Sequence, residues 1–200
     1  MRCCLHGMTR TFISLEMNEH LQSHLVGVIR QVAQVLPGVR WVDPAGIHLT
    51  LAFLGELTNE QLAEAIEATE TVAQHSEGFS YRLARLGIFG PVHRPRTIWM
   101  GIDEPTGALS HLYRALNREL ERRGFEVDKR PFSPHLTLAR IKSPLAPDEL
   151  HRLQHLLQGK QYGIASSQFY PVQHLDVMKS ELLPAGARCT CLRECVLSGA

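Results

Sequence analysis

His48-Leu49-Thr50-Leu51 occurs twice in this chain, because the same four residues return as His135-Leu136-Thr137-Leu138. Both copies lie in apolar runs, residues 47–54 and 135–141, which are typical of β-strands. Alternate residues of a strand share one face, about 6.5 Å apart. Each copy is therefore predicted to present one imidazole and one hydroxyl on the same face and to direct its leucines to the core. Two such strands facing each other would surround one phosphate with two imidazoles and two hydroxyls.

The elements around the two motifs also repeat, each in the order strand, helix, motif strand, helix. In the first half, a strand over residues 10–16 precedes a helix that begins at Asn18 and ends at Pro37. A second helix follows the first motif, and Thr58 with Gln61 forms the capping box typical of a helix start. In the second half, the corresponding segments are a strand over 96–102, a leucine-rich helix ended by Gly124, the motif strand, and a helix opened by Pro147.

The two motifs are 87 residues apart, and the same offset pairs Phe12 with Trp99 while the core-facing positions stay apolar. We therefore predict an α+β fold with two pseudo-symmetric lobes, each an antiparallel sheet with helices on its outer face. The bare faces of the sheets are expected to meet across a central cleft that carries both His-x-Thr motifs.

The remaining strands are less regular. We expect a short strand at 39–42, a longer one at 79–89, a short extended piece at 125–127, and two closing strands at 166–178 and 188–197 joined near 184–186. Residues 1–8 have no clear pattern and are expected to be an N-terminal extension. Residues 9–200 are then one bilobal domain.

Composition places the chain among ordinary globular proteins. It is 44% hydrophobic and 20% charged, with a formal net charge of +1, whereas a duplex-binding protein is expected to be strongly basic. No apolar run reaches the 18 residues of a membrane span, and no signal-peptide hydrophobic region is present. We expect a cytoplasmic monomer. The local clusters at Arg94 and Arg96, and at 122–130, are interpreted as solvated faces.

The paired motifs indicate acid–base chemistry at phosphorus. An unperturbed imidazole titrates near pH 6.5, so one histidine can take a proton from water while the other gives one to the leaving oxygen. The hydroxyls of Thr50 and Thr137 can donate to non-bridging phosphate oxygens. This arrangement needs no metal and no cofactor, and the chain lacks the glycine-rich phosphate cradle of nucleoside triphosphatases.

Other candidates are weaker. Phe12 and Trp99 share the predicted cleft side and would bind substrate by stacking on a nucleobase, although packing between the lobes explains them equally well. Arg130 precedes the proline-rich approach to His135 and is a further substrate-binding candidate. Strand alternation places Arg140 opposite His135 unless a bulge or the strand end intervenes, so we leave it out of the site.

The cysteines do not indicate a disulfide framework. Cys189, Cys191 and Cys195 resemble a zinc-ligand group only loosely, because the paired C-x2-C spacing is absent. Small core or edge residues of a strand are the favoured interpretation.

The runs around the motifs, Trp41-Val42-Asp43-Pro44-x3-His48-Leu49-Thr50-Leu51-x-Phe53-Leu54-Gly55 and Phe132-x-Pro134-His135-Leu136-Thr137-Leu138-Ala139-Arg140, resemble the 2H phosphoesterase superfamily. Within it, the chain is similar to the RNA 2′,3′-cyclic phosphodiesterases, also called 2′-5′ RNA ligases. The resemblance implies metal-independent opening of a 2′,3′-cyclic phosphate on an RNA end or nucleotide to a 2′-phosphomonoester. It also implies that His48 donates a proton to the 3′-oxygen, that His135 activates water, and that Thr50 and Thr137 hold the phosphate.

Two alternatives stay open at the level of sequence. The same site run in reverse would join RNA ends through a 2′-5′ bond. A binding module for nucleotides or RNA ends with little turnover is the other alternative, although binding alone would not need two titrating groups in duplicate.

Overall fold

The computed structural model describes residues 7–15, 17–158, 167–183 and 186–199. Within those ranges the chain alternates strands with four helices. The strands are β1 (Thr9–Leu15), β2 (Leu49–Leu57), β3 (Phe79–Phe89), β4 (Thr97–Asp103), β5 (His135–Arg140), β6 (Tyr170–Val172), β7 (His174–Leu183) and β8 (Gly186–Val196). The helices are α1 (Glu19–Val35), α2 (Asn59–Gln74), α3 (Ala108–Arg122) and α4 (Pro147–Gln158), with a 3-10 turn at Pro44–Gly46.

The strands form two four-stranded sheets, in the orders β2-β1-β7-β8 and β5-β4-β3-β6. Every pair of neighbouring strands is antiparallel. The two motif strands, β2 and β5, stand at the edges of their sheets and lie beside each other. This confirms the α+β class and the two antiparallel sheets.

The two halves of the chain are interleaved rather than separate. After α2 the chain crosses to the second sheet as β3, and after α4 it returns to the first sheet as β7. The first half of the sequence therefore donates β3 to the sheet that carries the second motif, and the second half donates β7 and β8 to the sheet that carries the first. Helices of the two halves also touch, since α1 contacts α4 and α2 contacts α3.

The approach to the first motif is attached to the second motif strand. Val42 N–H donates a 2.8 Å hydrogen bond to the Leu138 carbonyl, and Trp41 forms an isolated antiparallel bridge with Ala139. The predicted strand at 39–42 is thus wrong in length, because only this single bridge forms. The bridge nevertheless links the two sheets beside the motifs.

The helix boundaries follow the predicted signals. The Asn18 side chain accepts from the Leu21 amide at 2.9 Å, and Thr58 and Gln61 make both hydrogen bonds of the capping box. Gly124 follows α3 with φ of +85°, a conformation that glycine adopts at little cost. No helix in the described ranges combines the length and apolar character needed to cross a membrane.

The closing strands differ from the prediction. The segment predicted as one strand over 166–178 divides between β6, which pairs with β3, and β7, which pairs with β1. Residues 125–127 form no strand. The expected N-terminal extension (except residues 7–8), the helix end at Gly159 and the turn at 184–185 lie outside the described residues.

Candidate functional site

His48 lies directly before β2 and is held by its neighbours. Its ring stacks on Phe12 with centroids 4.6 Å apart and planes inclined by 29°. The turn that delivers His48 is closed by Asp43, whose side chain accepts from the Ala45 amide at 3.0 Å. Phe12 is only 4% exposed, so its ring supports His48 and has little surface left for a nucleobase. This corrects the expectation that Phe12 is a stacking platform.

The environment of His48 favours the neutral imidazole. Burial, with the positive charge of Arg140 as the second cause, lowers the pKa of His48 from 6.5 to about 4. Desolvation and a nearby cation both disfavour the imidazolium. His48 is therefore neutral at pH 7 in the free protein.

His135 is oriented by a backbone hydrogen bond. Its Nδ1 lies 2.7 Å from the Ser133 carbonyl oxygen. A carbonyl can only accept, so Nδ1 carries the proton and Nε2 keeps its lone pair in the neutral ring. The Phe89 ring meets the His135 ring edge-on at 4.8 Å, which restrains the imidazole further.

A β-bulge lies at the last leucine of each motif and changes which of the following residues share the face of its threonine. In the first sheet, Ser14 pairs with Thr50 and Ile13 with Ala52, so Leu51 is the extra residue. In the second sheet, Trp99 pairs with Thr137 and Ile98 with Ala139. The bulge there inverts the alternation of β5 after Leu138.

The second bulge brings Arg140 into the site. Thr97 pairs with Arg140 and Trp99 with Thr137, and residues directly opposite in a ladder share a face. Arg140 thus lies on the same face as Thr137, and its charge acts on His48. The exclusion of Arg140 by simple alternation was wrong because a bulge adds one residue.

The sequence does carry a signal of the bulges. The repeat extends to a fifth residue, because Ala52 and Ala139 follow the two copies. Leu138 and Ala139 are both fully buried, and two successive core-facing residues are what a bulge produces. By the same rule the first bulge places Phe53, which is 53% exposed, on the face of Thr50.

The two threonines lie on the side of their strands that is not buried. Thr50 is exposed and Thr137 is partly exposed, while the leucines of both motifs are buried. The face that carries each threonine is therefore open to a ligand.

Trp99 lies across Gly87, its partner in the β3–β4 ladder. A Cβ on Gly87 would come within 2.2 Å of the indole ring, so the ring occupies the space of the missing side chain. Trp99 also contacts Phe89, with centroids 5.4 Å apart. Its buried Nε1 has no hydrogen-bond partner in the described part of the chain.

The Arg130 side chain is engaged by an acidic neighbour. This side chain is 86% exposed and pairs with Asp128 at 2.5 Å. It lines a groove of about 590 Å³ against α3, and no motif residue lines that groove. The structure therefore gives no support to Arg130 as a phosphate ligand.

The C-terminal cysteines lie on β8 as thiols. Burial raises the pKa of Cys191 to about 11 and that of Cys195 to about 12. Since the thiolate is the form that attacks electrophiles, these thiols are poor nucleophiles at neutral pH.

Known proteins resemble this chain in both sequence and fold. The sequence profile of a family described as "LigT like Phosphoesterase" matches residues 15–99 and 101–189. An RNA 2′,3′-cyclic phosphodiesterase of Thermotoga maritima is 30% identical over 190 residues, which cover 95% of this chain and 96% of that protein.

Two crystal structures extend the likeness to the fold. A Thermus thermophilus protein superimposes with a TM-score of 0.79 at 28% identity, over 95% of this chain and 98% of the other. Escherichia coli LigT, solved in complex with 3′-AMP, superimposes with a TM-score of 0.72 at 24% identity, over 96% and 99% of the two chains.

Proposed function

Because this chain belongs to the LigT-like phosphoesterase family, we propose that it hydrolyses 2′,3′-cyclic phosphate ends of RNA to 2′-phosphomonoesters. The relative from Thermotoga maritima, which is similar over nearly the whole of both chains, is named an RNA 2′,3′-cyclic phosphodiesterase. The observation on which the proposal rests most is the meeting of the two motif strands, with Arg140 of β5 acting on His48, the residue directly before β2. Neither a metal nor a cofactor is part of the proposed mechanism.

In the proposed reaction, Nε2 of His135 takes a proton from water as the water oxygen attacks phosphorus. The bond between phosphorus and O3′ breaks, and His48 delivers a proton to O3′. The products are a 2′-phosphate and a 3′-hydroxyl, and both histidines return to their starting states by exchange with solvent. The hydroxyls of Thr50 and Thr137, with the guanidinium of Arg140, donate to the non-bridging oxygens as charge grows there.

The low pKa of His48 places a condition on this assignment. A proton donor must be protonated, whereas His48 is neutral near pH 7 in the free protein. A bound phosphodiester anion would oppose the effect of Arg140 and favour the imidazolium. In the exchanged assignment, His48 is the base and His135 is the acid. The low pKa of His48 in the free protein fits this assignment directly, because a base must be unprotonated.

A change of leaving group separates the two assignments. A nucleoside 2′-phosphate p-nitrophenyl ester releases a stable phenolate, which needs little help from a general acid. If His48 is the acid, His48→Ala loses much less activity on this ester than on the cyclic phosphate. If the roles are exchanged, His135→Ala shows that rescue and His48→Ala does not.

The function itself is tested by incubating the protein, in excess EDTA, with an oligonucleotide ending in a 2′,3′-cyclic phosphate. We expect hydrolysis that leaves the phosphate on the 2′-oxygen. His48→Ala and His135→Ala should each lose about 10²–10⁴-fold, the usual contribution of one proton transfer. Changing the exposed α4 residue His151 to Ala provides the matched control and should retain activity.

Near-normal turnover by either motif variant would contradict the mechanism. Activity lost to EDTA and restored by metal would contradict metal independence. A 2′-5′-linked product formed with an added 5′-hydroxyl oligonucleotide would identify the reverse reaction.

A further inference from the structure

The loop that joins β3 to β4 is held in one conformation. Gly90 has φ of +97°, and a Cβ there would lie 3.1 Å from the Arg94 carbonyl oxygen. The Arg94 amide donates to the Pro91 carbonyl, and the Arg96 amide to the Phe89 carbonyl, each at 2.8 Å. The side chains of residues 90–96 are thus presented from a fixed turn, which we call the basic hairpin loop.

The basic hairpin loop adjoins the candidate site. Phe89, directly before it, contacts the His135 ring and pairs with Thr97, which in turn pairs with Arg140. The Ile141 amide donates to the Arg96 carbonyl at 2.8 Å. The loop therefore lies at the Arg140 end of the motif strand.

The charge of this region is of one sign. Residues 78–102 contain four arginines and no acidic residue, although the whole chain has a formal net charge of only +1. Arg94 and Arg96 are exposed. In the described ranges no carboxylate lies within 4 Å of either guanidinium, whereas several other arginines are paired with acids: Arg82, Arg122, Arg123, Arg130 and Arg193.

Exposed arginines are commonly only solvated, so their position and surroundings decide whether a binding role can be inferred. Here the unpaired guanidiniums stand on a rigid turn next to a candidate phosphate site. Phe89 is 37% exposed at the base of the turn. Unneutralised cations beside an exposed aromatic ring are the combination with which proteins bind single-stranded nucleic acid.

We propose that the basic hairpin loop binds the phosphodiester backbone of an RNA strand on the 5′ side of its terminal nucleotide. A 2′,3′-cyclic phosphate closes the 3′ end, so the rest of the strand must leave the site from the 5′ side of that nucleotide. This inference rests on the proposed function and makes the preferred substrate an RNA strand rather than a free nucleotide.

The test compares two substrates, a nucleoside 2′,3′-cyclic phosphate and a short oligonucleotide with the same terminal nucleotide. The double variant Arg94→Gln/Arg96→Gln is expected to lower the ratio of kcat/KM for the oligonucleotide over the nucleotide. Two exposed ion pairs correspond to a loss on the order of tenfold. The salt dependence of oligonucleotide kcat/KM should also weaken, by about 0.7 in log–log slope for each phosphate that the variant no longer binds.

The chain offers a matched control on α3. Arg114 and Arg118 are exposed, and no carboxylate within the described residues pairs with them. Arg114→Gln/Arg118→Gln removes the same charge away from the loop and should leave the substrate ratio at its original value.

The outcomes separate this inference from the function on which it rests. If the unaltered protein hydrolyses neither substrate, the proposed function fails. If it hydrolyses both but the loop variant keeps the original ratio, or the α3 variant lowers it equally, the loop is not the binding surface. An unaltered protein without preference for the oligonucleotide would likewise overturn the inference.

Discussion

At the scale of single residues, the histidines and threonines were identifiable from sequence because their chemistry and their repetition are local. Their electrostatic surroundings were not, since burial and the charge of Arg140 depend on the packing of two strands far apart in sequence. His48 illustrates the difference: its pKa of about 4 reflects burial and a guanidinium 92 positions later in the chain.

The influence of Arg140 can be measured directly. Replacing Arg140 by Gln removes a positive charge that disfavours the imidazolium, so the pKa of His48 should rise from about 4. The rise should stop short of 6.5, because burial is the larger cause and persists. An NMR titration of the His48 ring follows this change, with Arg114→Gln as the control.

The same shift should appear in the kinetics. The limb of the kcat/KM profile set by His48 reports the free protein, and it should move to higher pH in Arg140→Gln. A His48 pKa that does not respond to the loss of Arg140 would contradict the placement of that side chain.

His48 also makes stability depend on pH. Its pKa is near 4 in the folded protein and near 6.5 when unfolded, so the unfolded chain binds more protons between these values. The free energy of unfolding should therefore fall as the pH is lowered from 6.5 to 4, by up to about 3 kcal/mol from this residue. Urea denaturation across that range measures it.

His48→Asn provides the comparison. Because Asn does not titrate, the free energy of unfolding of this variant should lack the pH dependence that His48 contributes. This holds whether or not the substitution changes the stability at pH 7. An equal decline in both proteins would show that other groups are responsible.

At the scale of elements, the helices were predictable and the bulges were not. Apolar spacing and caps such as Asn18 and Thr58 are encoded within one turn of helix. A bulge depends on the register of the partner strand, so alternation along β5 alone gave the wrong face for Arg140. The pentapeptide repeat ending in Ala52 and Ala139 is the local trace of that register.

The packing of Trp99 on Gly87 gives a prediction for β3. A methyl group at Gly87 would meet the indole carbons at 2.2–2.6 Å, so Gly87→Ala must displace the ring. The cost of such overpacking is about 1–3 kcal/mol. In a Trp41→Phe background, the fluorescence of Trp99 should shift. Denaturation should show the corresponding decrease in the free energy of unfolding.

Gly27 of α1 is the matched control. It is exposed, and a Cβ there would have no neighbour within 4 Å among the residues that the structure describes. Gly27→Ala should stabilise the protein by about 0.5–1 kcal/mol, as expected in a helix interior. A Gly87→Ala protein as stable as Gly27→Ala, with unchanged fluorescence, would contradict the described packing.

At the scale of the whole molecule, the repeat predicted two lobes but not their exchange of strands. The offset of 87 residues relates β1 to β4 and β2 to β5, and the family profile matches the chain in both halves. The crossing of β3 and β7 into the opposite sheets could not be read from sequence, because strand pairing is long-range. That exchange ties the lobes together and keeps the motif strands side by side.

The central claim is that both motifs act on one phosphate. The most direct measurement is a crystal structure of the protein with a nucleoside 2′-phosphate, the proposed product. We expect one phosphate group within hydrogen-bonding distance, about 2.7–3.2 Å, of Nε2 of both His48 and His135 and of both threonine hydroxyls. A phosphate that contacts only one motif, with the other imidazole turned to a separate surface, would contradict the account.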